Sequence, residues 1–332
     1  MKRNAVECCI LAALMFLIPL FAMGGGGAPA EGAEPPPQSL APQPAAEDVP
    51  GDFRILDTST GQVAEVSRLD FLRGAAAAEV SPAWEPEALK AQAAAAYTYY
   101  ARLREQQRAD PDPALKGADF EADLSIGEKY VTPELMQTRY GSRYEEYLEK
   151  LTQAAQAVSG LVLKSGGQLI DATFYAISSG VTESSADIWG GERSYLVPVA
   201  SPGDMYAAGY QTTAVFSQEE LKQALLQKDG SLSFSGDASG WITDLARTDS
   251  GSVTSLLVCG KEMSGDVFRS ALGLRSQNFT VSWGQDAFTF TVKGYGHGVG
   301  MSQVGAQYMA RQGASWQEIL LWYYPGASIE AL

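Results

Sequence analysis

Histidine and cysteine are scarce in this chain of 332 residues, which contains one histidine and three cysteines. A zinc site rich in histidine, a pair of histidines for acid–base chemistry and most metallopeptidase motifs are therefore excluded. Cys8 and Cys9 lie in an apolar run near the N-terminus, which leaves Cys259 alone in the rest of the chain. A single cysteine forms no intramolecular disulfide, and we expect Cys259 to be a small buried apolar residue.

Positive charge is also in short supply. The chain has 24 lysines and arginines against 39 aspartates and glutamates, so its net charge is -15. A surface of this sign repels phosphate backbones, and we expect no nucleic-acid partner. With a single histidine available, carboxylates are the first candidates for any catalytic group.

The N-terminus has the pattern of a targeting segment. Lys2 and Arg3 precede an apolar run from about Cys8 to Met23. Residues 1–23 are therefore predicted to be a signal peptide or a membrane anchor, and the run is near the lower limit of ~17 residues for crossing a bilayer. We favour an uncleaved, single-pass anchor in the cell membrane with the remaining chain on the extracytoplasmic side. The alternative is secretion after signal cleavage.

The next segment, residues 24–52, is predicted to be a linker. It holds seven of the 16 prolines and few large apolar residues. Such a composition favours an extended, disordered tether between a membrane and a domain. Residues 53–332 have the composition of a globular domain, in which 45% hydrophobic residues over the whole chain are enough for a sizeable core.

Within this domain, local patterns predict both helices and β-hairpins. Asp70 is a candidate cap for the first helix, Pro86 suits the first turn of the second, and Ser217 with Glu220 forms a capping box. Helices are predicted at 70–78, 86–104, 142–158, 217–227, 302–312 and 315–323. Strands are predicted at 161–164, 169–175, 210–216, 241–248, 253–259, 278–283 and 287–293. Because regular βαβ alternation is absent, we predict an α+β fold, with mixed helices and β-hairpins around a substrate cleft.

Glu79 stands out because it follows four alanines at the end of the first predicted helix. The partial negative charge of a helix C-terminus disfavours a second negative charge nearby, and partial desolvation adds to this effect. Both raise the pKa of a carboxyl group, and a carboxyl group that is protonated near neutral pH can act as a general acid. The alternative is an ordinary solvated glutamate at a helix end.

Three sequence segments, taken in order, resemble one known family. They are the block from Glu79 to Tyr99, the stretch FYAISSGVTESSADIWGG at 174–191, and GYGHGVGMSQVGAQYMARQG at 294–313 with WYYPGA after it. Together they resemble stage II sporulation protein D, a family of peptidoglycan lytic transglycosylases. The resemblance covers about residues 53–332, and its most specific strings are EPEALKAQA and GHGVGMSQVGA.

The resemblance implies that Glu79 is the catalytic acid, because in the family a glutamate precedes the EALKAQA helix by a few residues. Lys90 and Gln92 match family positions that line the cleft, although a solvated helix face explains them as well. Where the family usually has an arginine this chain has Tyr97, so a structural contact or a sugar contact is missing.

The resemblance also assigns substrate-binding positions to the two glycine-bearing segments. Ser178, Ser179, Gly180 and Thr182 match a family turn at which a glycan approaches the backbone, while the alternative is an ordinary turn after a strand. Some relatives bind zinc near this turn through histidine and cysteines. Here the neighbouring positions are Tyr, Ala and Ile, so we expect no metal, and we expect no cofactor.

In the later glycine-rich segment, His297, Ser302 and Gln303 are the candidates for contacts with a sugar. The glycines at 294, 296, 298 and 300 allow backbone conformations that are closed to other residues. We expect His297 to be structural or to position the substrate rather than to transfer a proton.

The function implied by the resemblance is cleavage of the β-1,4 bond between N-acetylmuramic acid and N-acetylglucosamine, which leaves a 1,6-anhydro end. Peptidoglycan glycan strands stripped of stem peptides are the expected substrate, and a wall amidase and a membrane scaffold protein are the expected partners during engulfment. The alternatives are a hydrolytic muramidase with Glu183 or Asp187 as a second carboxylate, a catalytically silent peptidoglycan-binding module, and a scaffold in a sporulation complex.

Overall fold

The computed structural model describes residues 52–332. The first half of this range contains β1 (Phe53–Asp57), β2 (Val63–Val66), α1 (Arg68–Glu79), α2 (Pro86–Ala109), β3 (Phe120–Ala122), α3 (Pro133–Tyr140), α4 (Tyr144–Val158), β4 (Leu161–Ser165), β5 (Gln168–Leu169) and β6 (Phe174–Tyr175). The second half contains α5 (Ser185–Trp189), β7 (Gln211–Ser217), α6 (Gln218–Lys228), β8 (Ile242–Arg247), β9 (Val253–Val258), β10 (Lys261–Ser264), α7 (Gly265–Leu272), β11 (Phe279–Gly284), β12 (Ala287–Lys293), β13 (Met301–Ser302), α8 (Gln303–Arg311), α9 (Trp316–Tyr323) and β14 (Ser328–Ala331).

The long helix α2 is the central element of the first hydrophobic core. Pro86 occupies its first turn, where a missing N–H costs nothing, and its alanines let neighbouring helices approach closely. Helices α1, α4, α8 and α9 all pack against it. The sheet of β2, β1 and β3 joins the same core, in which the Phe53 and Phe71 rings lie with their centroids 4.1 Å apart.

A second hydrophobic core lies within residues 211–293. One antiparallel sheet has the order β11-β12-β7 and another has the order β10-β9-β8. Helices α6 and α7 pack against each other, and Leu221, Phe268 and Phe290 are fully buried. Alternating burial along β12 fits a sheet with one apolar face.

Two long-range strand pairs bring distant segments of the chain together. β6 pairs in parallel with β13, so that Phe174 is opposite Met301. β14 pairs with β4 and closes the C-terminus onto the middle of the chain. The first of these pairs places the two glycine-bearing segments side by side.

The observed fold confirms the α+β prediction and most of the predicted elements. The hairpin at β4 and β5 is present, but its second strand ends at Leu169, and residues 174–175 pair with β13 instead. The first helix is capped by Ser67 rather than by Asp70, because Asp70 lies in the first turn and donates its backbone N–H to the Ser67 hydroxyl. The capping box of Ser217 and Glu220 is confirmed.

The predicted anchor at 1–23 and all of the linker at 24–52 except Asp52 lie outside the described residues, so both stay predictions. Among residues 52–332, no helix combines the length and the apolar composition that crossing a bilayer requires.

Candidate active site

Glu79 is the last residue of α1, which ends because Val80 adopts an extended conformation with φ -135° and ψ 159°. Its side chain is half-buried and lines a cavity of about 170 Å³. The cavity lining is completed by Tyr99, Tyr100, Thr173, Phe174 and His297. The carboxyl group therefore faces an open pocket between the end of α1, the side of α2 and the two glycine-bearing segments.

Burial raises the pKa of the Glu79 carboxyl above its ordinary value, and a hydrogen bond from Gln303 opposes this rise. The Gln303 Nε2 atom donates to Glu79 Oε2 at 3.2 Å. Since burial has the larger effect, the protonated form persists to a higher pH than in a solvated glutamate. This is the electrostatic condition of a general acid, and one amide donor at Gln303 can still stabilise the carboxylate after the proton has left.

His297 lines the same cavity, but both of its ring nitrogens have backbone partners. Nε2 lies 3.1 Å from the carbonyl oxygen of Phe174, and the backbone N–H of Val299 points at Nδ1 from 3.2 Å. These contacts fit a neutral ring with its proton on Nε2. Burial lowers the pKa of His297 to about 4, so the ring is neutral near pH 7. The geometry gives it a structural position at the wall of the cavity.

The two glycine-bearing segments are hydrogen-bonded to each other. Tyr295 and Ile177 exchange two backbone bonds, and the Glu183 N–H donates to the carbonyl oxygen of Gly298 at 2.7 Å. Gly300 has φ +84°, and a Cβ atom there would lie 2.1 Å from the carbonyl oxygen of Thr173. A side chain at this position would push the segments apart and displace the cavity wall that carries His297.

Asp204 holds these segments together and was missed in the sequence. It is fully buried, and its carboxylate accepts from the Ser178 backbone N–H at 2.9 Å, from the Ser302 hydroxyl at 2.6 Å and from the Ser201 hydroxyl at 2.5 Å. The Tyr323 hydroxyl lies 2.6 Å from the Ser201 oxygen. Burial raises the pKa of Asp204, and the hydrogen bonds oppose that rise. Ser201 is three residues away in the sequence, but the contacts with Ser178 and Ser302 span 26 and 98 residues, so the sequence alone did not indicate this role.

The predicted residues of the first segment lie mostly below the surface. Ser178 and Thr182 are each 1% exposed. The Thr182 hydroxyl donates to the carbonyl oxygen of Val197 and accepts from the N–H of Val199. Ser179 and Gly180 are half-buried, and neither lines the Glu79 cavity. Contact between these four residues and a substrate stays a prediction.

Ser302 and Gln92 are also buried, and Lys90 forms an ion pair with Glu87 outside the Glu79 cavity. Ser302 caps α8 and donates to Asp204, which occupies its hydroxyl. Gln92 is 1% exposed, and neither polar atom of its side chain has a hydrogen-bond partner among the described residues. Lys90 Nζ lies 2.5 Å from Glu87, whose other oxygen accepts from the Trp316 N–H. None of the three lines the Glu79 cavity, and their roles in binding stay predictions.

Tyr97, which replaces the family arginine, faces the first hydrophobic core. It is fully buried, and its ring packs edge-on against Phe53 with the centroids 5.8 Å apart. At this position the side chain contributes to packing inside the domain and does not line the Glu79 cavity. Within residues 52–332, no group of three or more His, Cys, Asp or Glu side chains is placed to hold a metal ion.

Two further features of the site carried no signal in the sequence. Tyr99 and Tyr100 line the cavity next to Glu79. Trp189 is 48% exposed, and its ring centroid lies 5.1 Å from that of His297. Aromatic residues are common in any core, so only their exposure and neighbours distinguish these three.

Comparisons with known proteins identify the family to which this chain belongs. The family model described as Stage II sporulation protein matches residues 57–164. The chain is 32% identical to Stage II sporulation protein D of Bacillus subtilis (strain 168) over 339 residues, which covers 99% of this chain and 96% of the relative. It is 35% identical to Stage II sporulation protein D of Bacillus amyloliquefaciens over 288 residues, or 86% of this chain and 81% of that relative.

A more distant similarity joins the chain to the Amidase enhancer of Bacillus subtilis (strain 168), with 25% identity over 306 residues, 78% of this chain and 40% of that protein. Full-length coverage at more than 30% identity defines the relationship, and the chain belongs to the stage II sporulation protein D family of sporulation-related proteins.

Proposed function

We propose that this protein is a peptidoglycan lytic transglycosylase, a lyase acting on polysaccharide, with Glu79 as its single acid–base group. The observation that carries the proposal is the half-buried Glu79 carboxyl, with its raised pKa, in an open cavity. Membership of a sporulation family fits an action on the cell wall.

In the proposed reaction, Glu79 first protonates the bridging oxygen between C1 of N-acetylmuramic acid and the next sugar, and the C1–oxygen bond breaks. The resulting carboxylate then removes the proton from the C6 hydroxyl of the muramoyl sugar. The C6 oxygen bonds to C1 and closes the 1,6-anhydro ring. One proton enters and one leaves Glu79, so no water is consumed. The nucleophile is part of the substrate, and its proximity replaces the second carboxylate that a hydrolase needs.

Neighbouring groups support this use of one carboxyl group. Gln303 can donate to the carboxylate formed in the first step, since it already lies 3.2 Å away. Burial and then the nearby Glu79 raise the pKa of Tyr100, so its hydroxyl remains a donor. A tyrosine hydroxyl at the cavity wall can bond to a sugar oxygen without competing for the catalytic proton.

A hydrolytic muramidase is the second candidate, and the positions of the other carboxylates weigh against it. Glu183 is 2% exposed and lines a different small cavity, whose lining also includes His297. Asp187 is exposed and accepts from the Ser184 hydroxyl at the start of α5. Neither residue lines the cavity that contains Glu79.

Product analysis tests the proposal. Purified glycan strands are digested with the protein, and the products are analysed by mass. We expect 1,6-anhydro ends, which are one water lighter than reducing ends. Reducing ends alone would overturn the transglycosylase proposal in favour of the muramidase. Glycan binding without any product would favour a silent binding module.

The biological setting is also a proposal. We propose that the protein is held at the cell membrane by residues 1–23 and acts on peptide-stripped strands during engulfment, together with a wall amidase and a membrane scaffold protein. The similarity to a protein named Amidase enhancer supports the association with an amidase. Co-purification of the amidase from sporulating cells tests the partnership, and a membrane fraction free of the protein would contradict the anchor.

A further inference from the structure

Residues 189–193, which we call the Trp189 loop, begin at the last residue of α5 and continue into a turn. Gly190 caps α5 in a left-handed conformation with φ 73°. The backbone N–H of Arg193 donates to the hydroxyl of the buried Ser185 at 3.0 Å. This bond ties the end of the loop to the start of α5, so the backbone that carries Trp189 and Arg193 is held in place.

The Trp189 ring lies next to one wall of the Glu79 cavity. Its centroid is 5.1 Å from that of His297, and His297 lines this cavity. The two ring planes are inclined by 48°, so the rings do not cover each other face to face. Trp189 also keeps about half of its surface exposed. An exposed aromatic ring beside a cavity is suited to contact with the apolar face of a pyranose ring.

Arg193 is joined to another part of the same wall through Asp171. The Arg193 Nε atom lies 4.0 Å from Asp171 Oδ2, which is an ion-pair distance but too long for a hydrogen bond. Asp171 shortly precedes Thr173, which lines the cavity. Burial raises the pKa of Tyr99, another lining residue, and the Asp171 carboxylate adds to this rise. The ion pair therefore lies close to the side of the cavity that Thr173 and Tyr99 form.

Two arginines share the Asp171 carboxylate. Arg102 Nη1 lies 3.3 Å from Asp171 Oδ1, whereas Arg193 approaches Oδ2. Neither arginine has a second ion pair among residues 52–332. Glu192 is exposed, so solvent and salt screen its charge. The cluster therefore retains positive charge in a chain whose net charge is -15, and it attracts an anionic group that most of the surface repels.

We propose that Trp189 and Arg193 form a subsite for a muramoyl sugar whose lactyl carboxylate is free, with the indole ring against the pyranose and the guanidinium group on the carboxylate. Paired N–H donors of an arginine match a carboxylate, and such a charged pair is stronger than a neutral hydrogen bond. A stem peptide converts the same carboxylate into an uncharged amide. The inference rests on the proposed function for the identity of the glycan, and it assigns the selection of peptide-stripped strands to two residues.

Binding to the full chain with Glu79→Gln tests the inference without cleavage. The first probe is a tetrasaccharide of alternating N-acetylglucosamine and N-acetylmuramic acid with free lactyl carboxylates. The second is the same tetrasaccharide with its carboxylates converted to methylamides. We expect isothermal titration calorimetry to show at least about tenfold tighter binding of the free acid, a difference of about 1.4 kcal/mol. Equal affinities, or no binding of the free acid, overturn the inference.

A matched pair of arginine variants locates the charge effect. Arg193→Gln and Arg143→Gln each remove one positive charge, so both change the net charge of the chain equally. Arg143 pairs with Glu146 near the start of α4 and does not line the Glu79 cavity. We expect Arg193→Gln to remove most of the preference for the free acid and Arg143→Gln to keep it. An unchanged preference in Arg193→Gln, or an equal fall in both variants, overturns the inference.

Tryptophan variants test the contact with the sugar ring. Trp189→Ala should weaken the binding of both probes by the same factor, because the indole ring contacts the pyranose and not the carboxylate, and Trp189→Tyr should restore most of the affinity. Trp322→Ala is the control, since Trp322 is similarly exposed and its indole N–H donates to the carbonyl oxygen of Ala200. Should Trp189→Ala unfold, Trp189→Leu takes its place. Wild-type affinity for both probes in the folded variant overturns the inference.

The subsite and the proposed reaction can fail separately. If the wild type forms no 1,6-anhydro ends while Glu79→Gln still shows a preference that depends on Arg193, the reaction is refuted and the subsite stands. If anhydro ends form at equal rates from free-acid and methylamide strands, and the two affinities are equal, the subsite alone is refuted.

Discussion

Gln303 Nε2 donates a hydrogen bond to Glu79 Oε2 across a separation of 224 residues. The contact joins the C-terminal end of α1 to the first residue of α8, so the amide that donates to the candidate acid comes from a segment near the C-terminus. Because the bond stabilises the charged form, it opposes the rise in the pKa of Glu79 caused by burial.

This contact predicts a pH effect on cleavage. The reaction begins with protonated Glu79, so its rate should fall as pH rises through the pKa of that carboxyl group. Gln303→Leu removes the donor and raises the pKa further, and we expect the fall in rate to move to higher pH. Initial rates of glycan cleavage between pH 4 and pH 8, in steps of about 0.5, measure the shift.

Gln307→Leu is the matched control for this experiment, because Gln307 lies one turn farther along α8 and its side-chain oxygen accepts from the Glu85 N–H. We expect the fall in rate to stay at the wild-type pH in this variant. A profile for Gln303→Leu that coincides with the wild type, or moves to lower pH, would contradict the assignment.

Glu79→Gln is expected to abolish cleavage and to stabilise the fold at neutral pH. The pKa of Glu79 is raised in the folded state, so the wild type loses stability relative to the variant as pH rises through that folded-state value. The difference in Tm should therefore be small near pH 4 and grow towards pH 7, at about 2 °C for each kcal/mol regained. Calorimetry at several pH values measures it, and a variant less stable than the wild type at pH 7 would contradict burial of the carboxyl group.

The single histidine permits a direct titration. Burial lowers the pKa of His297 to about 4, so its ring should stay neutral throughout the range in which most histidines titrate. The proton on the imidazole Cε1 atom gives one NMR signal, and we expect its midpoint near pH 4 in the folded protein. In urea the same signal should titrate near the ordinary value of about 6.5. A folded-state midpoint at that ordinary value would show a solvated ring.

Asp204 is expected to be the most sensitive carboxylate for stability. Asp204→Ala leaves buried donors at Ser178, Ser201 and Ser302 without their acceptor. We expect a loss of about 3 kcal/mol or more in the free energy of unfolding, measured with a denaturant. Asp187→Ala removes an exposed carboxylate nearby and should cost less than about 1 kcal/mol. Equal losses of unfolding free energy in the two variants would show that the hydrogen bonds to Asp204 do not stabilise the fold as proposed.

A substitution at Glu183 distinguishes the transglycosylase mechanism from the muramidase mechanism. Its carboxyl group is buried, and this burial raises its pKa, while hydrogen bonds from Ser252 and Thr248 oppose the rise. Glu183→Gln should therefore retain cleavage and the 1,6-anhydro product, while Glu79→Gln loses both. If Glu183→Gln folds normally and is as inactive as Glu79→Gln, a two-carboxylate mechanism replaces the one proposed.

Local patterns in the sequence predicted the longer elements well. Alanine content and Pro86 mark α2, and the capping box marks α6, because both signals act within one or two turns of helix. Short strands such as β6 and β13 were not separately predicted. Each has two residues, and its pairing partner lies more than one hundred residues away, so no periodicity can build up within the strand itself.

The candidate site also has features that local sequence predicts and features that depend on tertiary packing. The position of Glu79 at a helix end was readable from four alanines and a later proline, since helix termination is a local property. Three features of Glu79 could not be predicted from the sequence: its burial, its contact with Gln303 and its position in one cavity with Tyr99 and Tyr100. They depend on how α1, α2 and α8 pack. Two residues assigned to substrate by their motif, Ser178 and Ser302, donate hydrogen bonds to the buried Asp204, and their roles in substrate binding stay predictions.

The resemblance of three segments indicated the family, and the sequence by itself determined the α+β class, the scarcity of metal-binding side chains and the position of Glu79 at the end of a helix. Each follows from local patterns or from composition, which need no knowledge of distant contacts. Only the tertiary structure decided which groups surround that acid and that burial keeps the His297 ring neutral near pH 7. Proton affinity and access depend on solvent exclusion by segments distant in the chain, and solvent exclusion exists only after packing.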